Sequence, residues 1–535
     1  MATKTYIGLS LGNHNSVIAI LNKDHAAEVI ANEEGEHKTP SYIAFAGPEE
    51  YHGSQAKHQI VRNAQNTIAG FRDLLGKPFA EGLAREGFAQ VAKGESDEPV
   101  FVVETEDEDS GEARELRLTA HDATVRYLQR LKTTAEEYLG RAIEGAVLAV
   151  PAAFDAAQRQ SVSTACADAG LPLLQLVDEP VAAAVQYGLV QGATPEDAKD
   201  SVAVVVDVGG TSTDVSVVVA SGGLLSVVGR RHSTEVSGER MDDVLAKHFA
   251  AEFKRQSGID VLEGSPRALR KLLQSVEVTK RTLSAAPSAP CAVESLADGQ
   301  DFSGSISRSR FDILAGKIMA PLDAAVLGAL EDAGYSPAQV DQVLLSGGAA
   351  RVRKLQTRVA LLFPETTRVR DDAGELDEVV AAGCAAQAAL TAQGSVTAEP
   401  ADVKAAVLAN AVGLRLTADC MEPVLQKNAP LPASRTVKVA MPAGEKRAYI
   451  AVSEGEPVPP QDEDEEEDED EEAEPQELPR YRPSRLLAEM VLELDAADDK
   501  TRIEVNFFVD TDASLTVTAT EPISGKSITA QVPAA

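Results

Sequence analysis

The chain has 535 residues and a formal net charge of −34, from 84 acidic and 50 basic side chains. That balance excludes nucleic-acid binding through the whole surface, because phosphate backbones are drawn to cationic faces, and leaves only a local basic patch open. Hydrophobic residues make up 44%, aromatics only 4%, and Trp is absent, so the length suits about two to four domains with cores of Ala, Val and Leu.

Four scattered cysteines, Cys166, Cys291, Cys384 and Cys420, form no CxxC pair. This argues against a zinc site or a disulfide framework and for plain reduced thiols. MATKTYIGLS shows no secretory apolar stretch. No run reaches the ~18 apolar residues of a membrane span. The expectation is a soluble protein of a reducing compartment.

In chain order, short Val/Ile/Leu-rich runs ending in Gly, Pro or Asp predict strands at 5–11, 16–21, 146–150, 201–206, 215–219, 225–228 and 341–345. Helical spacing predicts helices at 121–139, 156–169, 179–188, 240–256, 266–284, 309–333, 351–362 and 378–391, with Asp155 and Ser309 as N-caps. Residues 1–391 therefore read as α/β with buried sheets. Two stretches, 5–21 and 201–219, share a strand–Gly-turn–strand pattern. Each returns as a hairpin where a Walker loop would open a helix, which suggests an internal duplication. Residues 392–406 read as a linker. Beyond them, 412–416, 436–440, 447–452, 487–494, 502–509 and 514–520 read as strands of a sandwich, with a turn at Asp512-Ala-Ser. An insertion at about 456–480 carries eleven consecutive acidic residues, Asp462 to Glu472. Like charges with nothing to bury predict a disordered, solvated loop.

Three stretches carry candidate chemistry. In DVGGTSTD, Gly209 and Gly210 let backbone N–H groups approach phosphate oxygens, and Asp207 and Asp214 suit a hydrated Mg²⁺; a tight hairpin with two surface aspartates fits the same residues. In LLSGGAARVRKLQ, Gly347 and Gly348 stand at a strand–helix junction with Arg351, where an adenosine face can pass; a plain junction is the alternative. In VEVTKRTLS, Glu277, Lys280, Arg281 and Ser284 share one helical face, which also fits a solvated charged stripe.

Taken together and in order, GLSLGNHNS, NEEGEHKTPSYIAF, VPAAFDAAQRQ, DEPVAAAVQYGL, DVGGTSTDVSV, EFKR, VTKRTLS, FSGSISRSRFD and LLSGGAARVRKLQ resemble the seventy-kilodalton heat-shock chaperone family. The resemblance covers about 5–391 closely and 407–535 more weakly. It implies an actin-like, ribonuclease H-like duplicated, two-lobed α/β ATPase domain over 1–391, then a truncated substrate-binding-type β-sandwich over 407–535 without the helical lid. By residue it implies a first phosphate loop at Gly12, Asn13, His14 and Asn15, and a second at Gly209, Gly210, Thr211 and Ser212, with Gly238 close by. Glu179 would sit near the attacking water, and Asp207 would meet the metal through water. Glu277, Lys280, Arg281, Ser284, Gly347, Gly348 and Arg351 would grip adenosine. The implied cofactors are ATP and Mg²⁺.

The departures from the family fall on the chemistry. Ser10 stands where the family has Asp, Asn13-His14 where it has Thr-Thr, and Thr211 where it has a third Gly. The catalytic Lys falls on Arg72 or Phe71, depending on one gap. Each lost or altered charge contact is worth on the order of ~10²-fold in rate, whereas binding needs only the loops and the adenosine grip. The expectation is ATP binding with little or no hydrolysis, the alternative a slow but genuine ATP-hydrolysing holdase or exchange factor. These features resemble an atypical branch of the family, the chaperone subunit of the fungal ribosome-associated complex. That resemblance implies a cytoplasmic, stable heterodimer with a Zuotin-like J-domain protein. It implies ribosome contact through this partner, without direct nucleic-acid or membrane binding, and action as co-chaperone of a second, active chaperone. A partner segment would fill an open groove or strand edge of the β region.

Overall fold

The computed structural model describes residues 5–22, 26–80, 87–107, 111–189, 201–221, 224–392, 407–457, 481–494 and 501–533, apart from a few turn positions between 418 and 443 and at 511 and 523. The expected linker from residue 393 on and the acidic run 462–472 lie outside them.

Successive side chains of a strand face opposite ways. In the run Ser201–Val208, Val202, Val204, Val206 and Val208 enter one core while Ala203 and Val205 enter another. Burial on both faces explains why this segment is apolar without alternation. It is the centre of a sheet whose plan occurs twice. The first sheet contains β1 (Tyr6–Leu11), β2 (Asn15–Leu21), β3 (Ala27–Val29), β4 (Gly145–Val150) and β5 (Leu173–Asp178), in the order β5-β4-β1-β2-β3. The second contains β6 (Ser201–Val208), β7 (Thr213–Ser221), β8 (Leu224–Ser233), β9 (Gln342–Ser346) and β10 (Arg368–Arg370), in the order β10-β9-β6-β7-β8. In both, the central strand runs antiparallel to its hairpin partner and parallel to the strand on its other side. The duplication expected from the two hairpins is present strand for strand.

Two helices, Glu179–Gln186 and Val379–Ala392, lie between the sheets. Ala182, Ala183, Val380 and Cys384 join Val147 and Ala149 of the first sheet and Val205 and Leu344 of the second in one buried cluster. Small residues let the backbones touch. A Cβ on Gly383 would lie 1.8 Å from the Ala182 carbonyl oxygen, and one on Gly8 would lie 2.1 Å from the Ala385 nitrogen.

The helices expected at 121–139, 156–169, 240–256 and 266–284 are observed as Ala120–Leu139, Ala156–Asp168, Gly238–Ser257 and Pro266–Ala285. Asp155 caps its helix through a capping box with Gln158. Ser309 is not a cap. The helix starts at Arg308, and Ser307 accepts from the Arg310 N–H at 3.3 Å. The expected 309–333 helix is two helices, Arg308–Met319 and Pro321–Ala333, bent by 45° where Pro321 has no N–H to continue the ladder. The stretch 351–362 begins as a 3₁₀ turn, Gly348–Arg351, before the helix Arg353–Ala360. Strands between 39 and 119 and the hairpin Ser288–Ala297/Gln300–Ser307 escaped the sequence pattern. Segments such as Ala113–Thr119, with its charged open face, carry little apolar signal.

At the C-terminal end, the six expected strands are joined by Met421–Leu425 and Ser527–Val532. Ala411–Arg415, Met421–Leu425, Tyr481–Glu493 and Arg447–Pro457 close into a barrel, while Ala433–Ala440, Arg502–Val509, Leu515–Thr520 and Ser527–Val532 form an open sheet. Val452, Val505, Phe507 and Val517 are among the residues of their common core. One layer of the expected sandwich thus closes on itself. The turn near 512 is held by the Ser514 N–H donating to Asp512 Oδ1 at 2.9 Å.

Gly383→Ala should lower stability by about 1–3 kcal/mol through overpacking at the helix seam. Gly316→Ala, where a Cβ meets open space on a helix, should raise it by about 0.5–1 kcal/mol. Urea unfolding midpoints check both.

Candidate functional site

The strand registers place two four-residue loops at equivalent ends of the duplicated sheets. Leu11 pairs with Ser16 around residues 12–15, and Val208 pairs with Thr213 around residues 209–212. The loops face each other across a cleft of about 390 Å³. All twenty residues singled out from the sequence line it, from Ser10 and Gly12 on the first loop to Gly347, Gly348 and Arg351 on the far side. The ambiguity at the expected catalytic Lys resolves on packing. Phe71 is buried with its ring 5.4 Å from that of Tyr127, and Arg72 enters the cleft.

In the second loop the Gly209 N–H donates to the Ser212 carbonyl at 2.8 Å. The carbonyls of Gly209 and Gly210 accept from the N–H groups of Gly238 and Glu239 at 2.9 Å each, which locks the turn onto the start of the helix Gly238–Ser257. Gly210 is required by a close approach, since a Cβ there would lie 2.6 Å from the Cβ of His14. Gly347 is required by its φ of +84° and by the Val208 carbonyl, 2.4 Å from the position a Cβ would take. Lys280 donates to the Gly238 carbonyl at 2.7 Å and to Asp242 at 2.6 Å. Arg351 pairs with Glu375 and Asp377, and Lys38 also reaches Asp377.

Register also exposes an asymmetry. At the mouth of the second loop, Asp207 stands beside Asp214 on β7 and Ser346 on β9. At the same place in the first half, Ser10 stands beside Val17 on β2 and Ala149 on β4. One half keeps two carboxylates and a hydroxyl, and the other keeps a single hydroxyl.

Four carboxylates, Asp73, Glu179, Asp207 and Asp214, act on Arg72 or on one another here. Arg72 donates to Asp73 at 2.9 Å, to Glu179 at 3.2 Å and to the Leu11 carbonyl at 3.1 Å. These carboxylates are partly buried and share the one guanidinium, with the His232 imidazole on Asp214. Asp73 is held below its usual range by Arg72 and Asn13 against the cost of burial. Burial pushes Glu179 up to about 8; Arg72 opposes this, and the negative charges of Asp207, Asp214 and Asp73 add to it. Burial also pushes Asp207 up to about 6, against the 2.8 Å hydrogen bond from Ser346. Behind them, His232 is held above its ordinary range by its 2.8 Å hydrogen bond to Asp214. At the helix Pro266–Ala285 burial alone would raise Glu277, but His14, Lys57 and Arg281 pull it far below its usual range.

The arrangement can hold a polyanion between two backbone turns, with cations at Arg72, Lys280 and Arg351 around it. Asn13 Oδ1 is buried, has no partner among the described residues, and can accept a hydrogen bond from a donor entering the cleft. Among the described residues there is no cluster of three or more His, Cys, Asp or Glu side chains that could hold a metal ion. Sequence reasoning missed Lys38, Glu375 and Asp377. The glycines and hydroxyls near them, Gly35, Thr39 and Gly374, form no strand–Gly-turn–strand pattern, and these charged residues meet the cleft only through folding.

The family model described as Hsp70 protein matches residues 6–466. The chain is 38% identical over 468 residues to a heat shock protein 70 homolog of Schizosaccharomyces pombe, covering 85% of this chain and 81% of that relative. It is 30% identical over 542 residues to a ribosome-associated complex subunit of Saccharomyces cerevisiae, covering 98% of each. It is 31% identical over 535 residues to a ribosome-associated molecular chaperone of the same yeast, covering 97% of this chain and 80% of that relative.

A carboxyl whose folded value is raised takes up a proton on folding, so its contribution to stability falls as pH rises between the two values. For Glu179 that window runs from 4.5 to about 8. The Glu179→Gln chain should lose this slope. Its melting temperature relative to the unmodified chain should be higher at pH 8.5 than at pH 5, and equal offsets at both would contradict the assignment.

Proposed function

Since this chain belongs to the Hsp70 family, we propose that it is a ribosome-associated chaperone subunit that holds ATP with little or no hydrolysis. The observation that carries this reading is the register asymmetry, with Ser10, Val17 and Ala149 on one side of the cleft and Asp207, Asp214 and Ser346 on the other. Backbone turns and the adenosine-side residues are enough to bind. Phosphoryl transfer also needs charge placed where it develops in the transition state.

In this reading Gly12 to Asn15 and Gly209 to Ser212 receive the phosphates. Glu277, Lys280, Arg281 and Ser284, with Gly347, Gly348 and Arg351, receive adenosine. Mg²⁺ meets Asp207 and Asn13 through its water shell, and when bound it would neutralise phosphate charge. Arg72 orients Glu179 and holds the Leu11 carbonyl at the base of the first loop. A Glu179 near 8 is largely protonated at neutral pH and is then a poor acceptor for a proton from water.

The partners follow the full-length likeness to the ribosome-associated complex subunit. The chain forms a stable heterodimer with a J-domain protein in the cytoplasm, meets the ribosome through it, and supports a second, active chaperone. A strand edge such as that of Ser527–Val532, which among the described residues pairs with Leu515–Thr520, suits β-addition by a partner segment. Among the described residues no single helix is long and apolar enough to cross a membrane. A second reading, slow but genuine hydrolysis, is favoured by Arg72, which keeps a cation in the cleft.

Single-turnover measurements with Mg²⁺-ATP and a J-domain protein separate the two readings. The expected rate lies at least ~10²-fold below that of an ordinary family member, and comparable turnover would sink the proposal. Ser10→Asp restores one of five altered positions, so it should leave turnover slow and J-protein co-purification unchanged.

A further inference from the structure

We infer that His14 is the pivot of a clasp that holds the two lobes closed over the cleft without nucleotide. His14 belongs to the first loop, yet it reaches two carboxylates on the second lobe. Its Nδ1 is 3.0 Å from Glu239 Oε1, at the start of the helix Gly238–Ser257, and its Nε2 is 3.6 Å from Glu277 Oε1, on the helix Pro266–Ala285. The main chain at His14 is fixed to its own lobe by the Ser41 N–H, which donates to the His14 carbonyl at 3.0 Å. Its Cβ packs where only a glycine at 210 leaves room.

The contacts continue past the imidazole in both directions. Tyr42 meets the ring edge-on, with centroids 6.0 Å apart, and its hydroxyl lies 3.3 Å from Nδ1. Tyr42 stacks on Phe88 at 5.9 Å, and the guanidinium of Arg270 from the second lobe lies 4.3 Å above Phe88. The chain of contacts that leaves the second lobe at Glu239 therefore returns to it at Arg270. Lys57, again from the first lobe, binds the other oxygen of Glu277 at 2.8 Å, and Gln274 donates to the Lys57 carbonyl at 3.4 Å. Glu277 is thus held by cationic and imidazole groups of the opposite lobe, with Arg281 of its own helix at 2.6 Å.

A charge-assisted hydrogen bond between partly buried groups outweighs an exposed ion pair. The His14 side chain is 18% exposed and that of Glu277 13%. Several such ties acting together keep the lobes shut when the cleft is empty. The idea deepens the proposed function, since it explains how a held nucleotide would stay put without a cycle. Its first half, closure of the empty cleft, stands independently of what the cleft binds.

Hydrogen exchange on the full chain stripped of nucleotide tests it, reading peptides over 42–57 and 238–242. Relative to the unmodified chain, His14→Thr and Glu239→Gln should each speed exchange there by about fivefold or more. Adding ATP should slow it again in the variants and change the unmodified chain by less than about twofold. Unmodified and variant chains exchanging alike without nucleotide, or an unmodified chain slowed severalfold by ATP, would overturn the clasp. Calorimetry with ATP is run in parallel. If no ATP binds, the nucleotide reading fails, and the nucleotide-free comparison alone decides the clasp.

Discussion

Between the two sheets, Gly383 rests directly on the backbone of Ala182, and Gly8 rests on the same helix from the other side. Protein interiors are packed to crystal-like density, so a contact with no side chain between two backbones leaves almost no freedom in spacing. The helices Glu179–Gln186 and Val379–Ala392 therefore hold the two halves of the duplication at one separation. Because the plan of the sheets repeats, the loop at the end of β1 meets the loop at the end of β6. The cleft is a consequence of this seam, and each residue in it is aimed by the strand that carries it.

Duplication supplies two similar loops, but the charges around them are not duplicated. The second half brings Asp207 and Asp214, and the first half brings Asp73, Glu179 and the guanidinium of Arg72. Buried like charges raise one another's proton affinity, and a single guanidinium is divided among them. Burial and the neighbouring carboxylates therefore hold the proton affinity of Glu179 above its ordinary value. The groups on the adenosine side are differently matched. Lys280 is paired with Asp242, and Arg351 with Glu375 and Asp377. Those pairs fix side chains in place without leaving a charge unbalanced.

The first loop also makes a contact across the cleft. An imidazole is longer than a threonine and bears two nitrogens, so His14 spans to the opposite lobe, and the glycine at 210 makes space for it.

The sequence by itself determined the duplicated α/β plan and most helices, and the family resemblance pointed to residues that line one cleft. Long apolar strands, Gly turns and N-caps such as Asp155 are local signals, written in adjacent residues and period. It did not show the polar strands between 39 and 119, the break at Pro321 or the cap at Ser307, because half-exposed strands and small shifts of a helix start leave little apolar pattern. Only the tertiary structure decided that Arg72 rather than Phe71 reaches the cleft. Phe71 is claimed by the core against Tyr127, and its neighbour is left facing the carboxylates. Only the tertiary structure brought Lys38 to Asp377, or His14 to Glu239 across 225 positions. Burial, register and charge balance are properties of groups distant in sequence and adjacent in space, so they exist only once the chain has folded.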